Sequence, residues 1–302
     1  MTDQILQVGE EHHNVRLDVY LTKVLANVPS RTYIKRLIDA GEVRVNSKTA
    51  KANHKVQTGD SVDIHVAEDF QLSDLKAENI PLDIFYEDEN LVIINKPSGM
   101  LVHPINQYQT GGTLVNALLY HCQQLSKVNS DIRPGIVHRL DRETSGLLAA
   151  AKDTQTHVRL SRQFEKHKVF KQYAALVEGH IAFEEGLIDA SIGTHPRFHD
   201  RKRISYDEKA KEAVTLYRVR KRFKNSTLVD LFPQTGRTHQ LRVHLAHLGH
   251  PILGDEKYGK KEAFPRLALH AQSLGFAHPI KGDYLEFVCA LPKEFLMPPE
   301  NQ

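Results

Sequence analysis

The chain has 302 residues, 40% apolar and 25% charged, with a formal net charge of +3, which suits an average soluble globular protein of one large and one small domain or two medium ones. Two cysteines without CxxC spacing, Cys122 and Cys289, exclude a disulfide framework and a thiolate zinc site. No run approaches the ~18 apolar residues of a membrane span, and the opening "MTDQILQVGEEHHN" lacks the apolar core of a signal peptide, so a cytoplasmic protein with no membrane partner is expected.

In chain order, residues 14–66 read as a small module. Leu17, Leu21, Val24 and Leu25 fall at helical spacing, and residues 27–29 break the pattern. A second helix starts behind a cap at Ser30 and stops at Gly41, with Ile34, Leu37 and Ile38 as its apolar stripe. "EVRVNSKTA" and "DSVDIHV" read as short alternating strands around turn residues. Residues 67–80 are acidic and polar and read as a linker. From residue 81 the pattern becomes strand-rich. "LDIFYEDENLVIINKPSG" gives two strands across a turn at Asp88–Asn90, and "LVNALLYHC" a helix. "GIVHRLD" and "GLLAAAKD" read as strands flanking a polar loop. "TQTHVRLSRQFEKH" is an amphipathic helix capped at Asp153 or Thr154. A strand "KVFKQYAALVEG", a hairpin from "AVTLYRVRKRF" and "STLVDLFPQ", and a helix "THQLRVHLAHLG" follow. Strands and helices mix without regular alternation, which argues α+β.

Charge is patterned locally. Residues 31–55 carry seven Lys or Arg against two acids, and residues 197–224 carry eleven against four. Such patches suit a polyanion, or form ordinary solvated faces.

Three places could carry chemistry. In "HRLDRETSG", Asp141 lies between Arg139 and Arg142. A carboxylate beside a guanidinium stays ionised and can act as nucleophile, base or charge stabiliser, or merely form a structural ion pair. A kinase loop is excluded: the Asp comes one residue late, Ser145 stands where an Asn is required, and no glycine-rich phosphate loop exists. In "QTGRTHQLRVHLAHLGH", His239, His244, His247 and His250 invite a metal, and His244 and His247 sit one turn apart. No cysteine lies near, the only close carboxylates are Asp255 and Glu256, and HExxH is missing, so no metal is expected. Arg242 sits among Leu241, Val243 and Leu245, where an unpaired charge is costly. It needs a carboxylate or phosphate partner unless it lies on the helix's polar face. Tyr173 alternates with Lys171 and Ala175 on one strand face, as a core tyrosine or as a ring that stacks on a base.

"GIVHRLDRETSGLL" resembles the signature of the RluA/RluD family of RNA pseudouridine synthases. "YEDENLVIINKPSGMLVHP", "KQYAALVEG", "GRTHQLRVHLAHLGHPILGD" and "RLALHAQSLGFAHP" resemble that family's other blocks, in its order. Residues 14–66 resemble an S4 RNA-binding domain. The resemblance implies a pseudouridine synthase fold with a central mixed, mostly antiparallel sheet flanked by helices. It divides the chain into an S4-like domain over 1–66, a linker over 67–80 and a catalytic domain over 81–302. The implied reaction isomerises uridine within RNA: the N1–C1′ bond breaks, the base turns, and C5 joins C1′, without cofactor or metal. Carried over, Asp141 is the catalytic aspartate, attacking C1′, attacking C6, or promoting elimination through a glycal. Arg242 pairs with it, Tyr173 packs on the target base, and Arg139 helps displace the nucleotide. The target base must leave the stack, at a cost of a few kcal/mol. Further RNA contacts are expected from Arg31, Lys35, Arg36 and Arg44 in the S4-like part and from Arg237. Arg142 and Ser145 replace the Lys and Thr common in relatives, keeping charge and hydroxyl. Residues 197–205 match none of the family's blocks. The layout is closest to the RluD type, acting on large-subunit (23S) ribosomal RNA, and a monomer is expected. A second reading is an RNA-binding ribosome-assembly factor without required catalysis, against which the intact set of Asp141, Tyr173 and Arg242 argues.

Overall fold

The computed structural model describes residues 2–25, 31–66, 75–104, 111–122, 125–126, 133–198 and 200–297, without the side chains of Thr2, Asp3, Arg31, Thr32, Tyr33, Arg36, Val66 and Glu262. The expected helix break at 27–29, the cap at Ser30 and linker residues 67–74 lie outside the described residues. The chain folds as two units, the first built mainly from residues up to 76 and the second from most of the remainder.

The first unit holds β1 (Thr2–Gln7), α1 (Leu17–Val24), α2 (Arg31–Asp39), β2 (Val43–Val45), β3 (Lys48–Thr49) and β4 (Ser61–Val66). Its antiparallel sheet runs β1-β4-β2-β3. The apolar stripes expected of the two helices are its core: Leu17, Leu21, Ile34, Leu37 and Ile38 pack with Val43, Val45 and Val62. β1 was not foreseen. Its short "TDQILQ" has no strong alternation, and it forms by pairing with β4 along six residues, from Thr2 opposite Val66 to Gln7 opposite Ser61.

The second unit contains β5 (Ile84–Glu87), β6 (Leu91–Lys96), α3 (Leu114–His121), β7 (Ser145–Ala151), α4 (Thr154–Glu165), β8 (Phe170–Glu178), β9 (Glu185–Asp189), β10 (Ile192–Thr194), β11 (Lys202–Ile204), β12 (Val214–Arg222), β13 (Ser226–Pro233), α5 (Gln240–His247), β14 (Leu269–Ala277), β15 (Tyr284–Val288) and α6 (Lys293–Leu296). Eight of its strands run β5-β6-β7-β14-β8-β13-β12-β9, and β15 pairs with β14. Local chemistry explains the boundaries. Asp88 accepts the main-chain N–H groups of Asn90 and Leu91 at 2.8 and 2.9 Å, which closes the β5–β6 turn. Asp153 caps α4, accepting from the Thr156 N–H at 2.8 Å.

The sheet is antiparallel except where β7 meets β14, with Ser145 opposite His270 and Gly146 opposite Ala271. Gly146 has φ +110°, and a Cβ there would run into the Ala271 backbone. Only glycine permits both that conformation and that approach. Tyr173 on β8 pairs with the same Ala271 from the other side. The segment "GIVHRLD" is not a strand. Only Ile136 makes a bridge, to Ala150, and the Ala149 N–H that a strand would have used is taken by the His138 ring at 2.9 Å. One apolar core lies around β8, β13 and α5, and another around β5–β7, α4 and β14–β15, which takes in both strands of the parallel pair.

Candidate active site

Asp141 sits on a turn held from three sides. Its carbonyl accepts from the Thr144 N–H at 3.1 Å. The "KPSG" turn after β6 grips the residues that follow: Gly99 N–H donates to the Arg142 carbonyl at 2.9 Å, and the Ser98 hydroxyl donates to the Glu143 carbonyl at 2.7 Å. Lys96, fully buried, donates from Nζ to the carbonyls of Pro97, Met100 and Arg142 at 2.8–3.0 Å. Burial pulls its pKa down to about 8. Before the turn, Leu140 is buried and His138 stacks on Phe164 at 4.4 Å. Burial lowers the His138 pKa to about 3, so the imidazole is a neutral structural group. Arg139 has no ionic or hydrogen-bond partner among the described residues. Arg142 instead donates to the Gly99 carbonyl at 3.1 Å and lies 3.4 Å from Glu143.

Arg142 is therefore not the guanidinium beside Asp141. That role falls to Arg242 on α5, whose Nη1 lies 3.6 Å from Asp141 Oδ2. Asp141 is nevertheless its lesser partner. Nε and Nη2 form a two-pronged pair with Asp255 at 2.7 Å each. Asp255 is fully buried and also accepts from the main-chain N–H groups of Lys257 and Tyr258. Burial opposes both charges, but the pairing outweighs it: Arg242 stands above its ordinary pKa and Asp255 below its own. The Tyr258 ring lies 5.3 Å from the guanidinium. His239, just before α5, has φ +58° and ψ 17°, a left-handed conformation costing a non-glycine residue roughly 1–2 kcal/mol. Its neighbours hold it there. Gln240 Oε1 accepts from the Arg237 N–H at 2.9 Å and the Thr235 hydroxyl at 2.7 Å. The turn brings His239 Nε2 to 3.9 Å from Asp141 Oδ2.

A pocket of about 120 Å³ opens over this group, lined among others by Arg139, Asp141, Tyr173, Arg237, His239 and Arg242. Burial, then the charge of Asp141, raises the Tyr173 pKa, so its phenol stays protonated at neutral pH. The ring offers a flat wall rather than a phenolate base. The expected neighbours thus converge from positions 139–141, 173 and 237–242.

Residues 90–247 match the model of the RNA pseudouridylate synthase family, and residues 15–62 match the S4 domain. An RNA pseudouridine synthase of Bacillus subtilis (strain 168) is 43% identical over 298 residues, covering 98% of this chain and 97% of the relative. The chain belongs to the RNA pseudouridylate synthase family. A Zymomonas mobilis relative named ribosomal large subunit pseudouridine synthase D is 40% identical over 310 residues, 97% of this chain and 95% of its own. Among solved structures, human RNA pseudouridylate synthase domain containing 1 superposes with TM-score 0.59 at 27% identity, over 72% of this chain and 85% of that one. The synthase is an isomerase acting on RNA, with the α+β fold and N-terminal S4 domain of its family.

Other expected residues of the synthase are placed less centrally. Arg237 donates from Nε to the Glu212 carbonyl at 2.9 Å on the pocket rim. In the S4 unit, Lys35 is exposed on α2 and Arg44 is the exposed middle residue of β2. The side chains of Arg31 and Arg36 lie outside the described residues. Residues 197–205, of which His199 is not described, include β11, which pairs with β10. Two of the histidines that invited a metal are bonded elsewhere: His244 contacts the Thr215 hydroxyl and Ala190 carbonyl at 3.0 Å, and His250 the Glu178 carbonyl at 2.8 Å. Among the described residues, Glu87, His121 and Cys122 have ligand spacing, but Glu87 is bonded to His121 at 2.7 Å and Lys152 at 2.9 Å. Three residues around the candidate site escaped sequence reasoning. Asp255 was noticed only as a carboxylate near the histidines. Tyr258 carries no motif of its own. Lys96 holds main-chain carbonyls, which leave no mark in a sequence.

Proposed function

We propose that the synthase isomerises uridines of large-subunit ribosomal RNA, with Asp141 as the catalytic aspartate acting on a uridine flipped out of the RNA stack. The observation that carries this reading is the convergence of Asp141, Tyr173 and Arg242 on one pocket. The uridine base lies against Tyr173, with C1′ and C6 facing Asp141. Arg139, which has no ionic or hydrogen-bond partner among the described residues, takes an RNA group and holds the place the nucleotide vacates. Breaking N1–C1′ and joining C5 to C1′ moves one proton from C5 to N1, so the reaction is balanced within the substrate. A base that stays stacked in a duplex cannot lie against Tyr173 within reach of Asp141, which is why flipping belongs to the mechanism. The basic residues of the S4 domain and the 197–224 segment hold the RNA by its phosphates and offset the cost of unstacking. The names of relatives such as that of Zymomonas mobilis support the large-subunit substrate.

Mapping pseudouridine in cellular RNA with and without the enzyme tests activity and site together. Loss of one or a few large-subunit positions is expected, and an unchanged map rejects the substrate assignment. Asp141→Asn should abolish formation while RNA affinity stays within a few-fold. Turnover retained in that variant would show that Asp141 is not the catalytic group.

A further inference from the structure

A chain of contacts leads from the β10–β11 hairpin to Asp141. The main-chain N–H of Lys202 donates to the Tyr258 hydroxyl oxygen at 2.7 Å. The same oxygen lies 2.9 Å from His239 Nδ1, with the two rings edge to face at 5.6 Å. A phenol oxygen that accepts a main-chain N–H still has its own proton to donate, and the Nδ1 lone pair is the acceptor within reach. With the phenol as donor to the ring, Nδ1 is bare and Nε2 carries the hydrogen. Burial keeps the ring neutral, with its pKa lowered to about 4. The Nε2–H lies on the Asp141 side, 3.9 Å from Oδ2. Arg242 Nη1 approaches that same oxygen at 3.6 Å. Both distances exceed hydrogen-bond length, as polar contacts in unliganded sites often do before substrate tightens them. Two donors therefore bracket Oδ2. Oδ2 is the Asp141 oxygen that each donor approaches most closely, and among the described residues no hydrogen bond is made to Oδ1, the oxygen that faces the substrate in this reading.

We propose that His239, fixed as its Nε2–H tautomer by the Lys202–Tyr258 hydrogen-bond chain, is a positioning residue that holds Asp141 Oδ2 together with Arg242 and so presents Oδ1 to the uridine. The hairpin that begins the chain belongs to the basic stretch for which the sequence offered no family counterpart. Its backbone thus takes part in orienting the reacting carboxylate. This rests on the reading of Asp141 as the catalytic group and adds which oxygen reacts and what turns it.

The test has two parts. Nitrogen-15 NMR of the histidine-labelled full chain, with His239 assigned by its loss in His239→Gln, reads the tautomer directly. A bare Nδ1 and protonated Nε2 are expected, and a protonated Nδ1 overturns the proposal whatever the variants do. Pseudouridine formation is then followed on a transcript bearing the mapped uridine. Tyr258→Phe keeps the ring against Arg242 but removes the hydroxyl. It should lower kcat about tenfold with KM unchanged, and the His239 signals should lose their fixed tautomer. His239→Gln, whose amide nitrogen reaches the place of Nε2, should retain most of kcat, whereas His239→Leu should lose at least tenfold. Wild-type kcat in both Tyr258→Phe and His239→Leu, or a change confined to KM, overturns the proposal. Asp141→Asn is measured alongside: if it is inert while those two variants are unaffected, only this inference fails, and if it turns over, the reading of Asp141 itself has failed.

Discussion

At the scale of single residues, the pairing of Arg242 changes what its loss should do. The sequence pointed to Asp141 as the carboxylate it serves. The two-pronged contact is with Asp255, which is fully buried, while Asp141 keeps a side-chain exposure of 21% and some contact with water. Removing Arg242 therefore strands Asp255 above all. Breaking a buried pair costs about 3–5 kcal/mol, whereas replacing both members by apolar groups of similar volume is often neutral. Urea unfolding of Arg242→Ala and Asp255→Ala should each show a loss in that range. The double variant Arg242→Met/Asp255→Leu should recover most of the stability while remaining inactive. A double variant as unstable as the sum of the singles would mean that the two residues are not energetically coupled. The same geometry divides the labour within the site: Asp255 fixes the guanidinium, and its remaining nitrogen faces the Asp141 carboxylate.

Among elements, the parallel seam between β7 and β14 positions the Asp141 turn, and Gly146 is its narrowest point. An alanine there must adopt φ near +110° and push against the Ala271 backbone. Strain and overpacking each cost about 1–3 kcal/mol. Gly146→Ala should thus lower stability by about 2–6 kcal/mol and also lose activity, because Ala271 links Gly146 on one side to Tyr173 on the other. Thermal melts and pseudouridine assays check this; a variant with native melting and native turnover would show that the close approach is dispensable. The seam marks the boundary of what the sequence could say. Helices and hairpins were legible because period and turn chemistry are local: α4 begins at its Asp153 cap, and the β5–β6 turn sits on Asp88. The misreading of "GIVHRLD" as a strand has a physical cause. Its apolar residues are buried as a strand's would be, but the His138 side chain replaces the neighbouring strand. Asp141, Arg242 and Tyr173 were legible through residue type and family resemblance. Asp255, Tyr258 and Lys96 were not, since each depends on a partner that only the folded chain brings near.

Over the whole molecule, buried neutral histidines decide how the fold responds to acid. Burial lowers His138 to about 3 and His239 and His270 to about 4, from an ordinary 6.5. In the window between 6.5 and those values the unfolded chain binds protons that the folded chain refuses. Stability therefore rises with pH across it, is fully present above about 6.5, and is lost as pH falls. The lowered carboxylates act later: Asp88, held at about 2 by its hydrogen bonds against the cost of burial, contributes stability that fades only below about 4. At pH 5 each refused histidine accounts for a loss on the order of 2 kcal/mol, at 1.36 kcal/mol per pKa unit. All three lie in the second unit, so the protection of its amides, measured relative to the intrinsic exchange rate at each pH, should be lower at pH 5.5 than at pH 7.5, well before the carboxylates titrate. His138→Gln can still accept the Ala149 N–H through its side-chain oxygen but has no proton to gain. Its urea midpoint should fall less steeply between pH 7.5 and 5 than that of the unaltered protein, by the equivalent of one proton. An identical slope in the two would show that His138 is protonated in the fold at pH 5, and that acid sensitivity arises elsewhere in the chain.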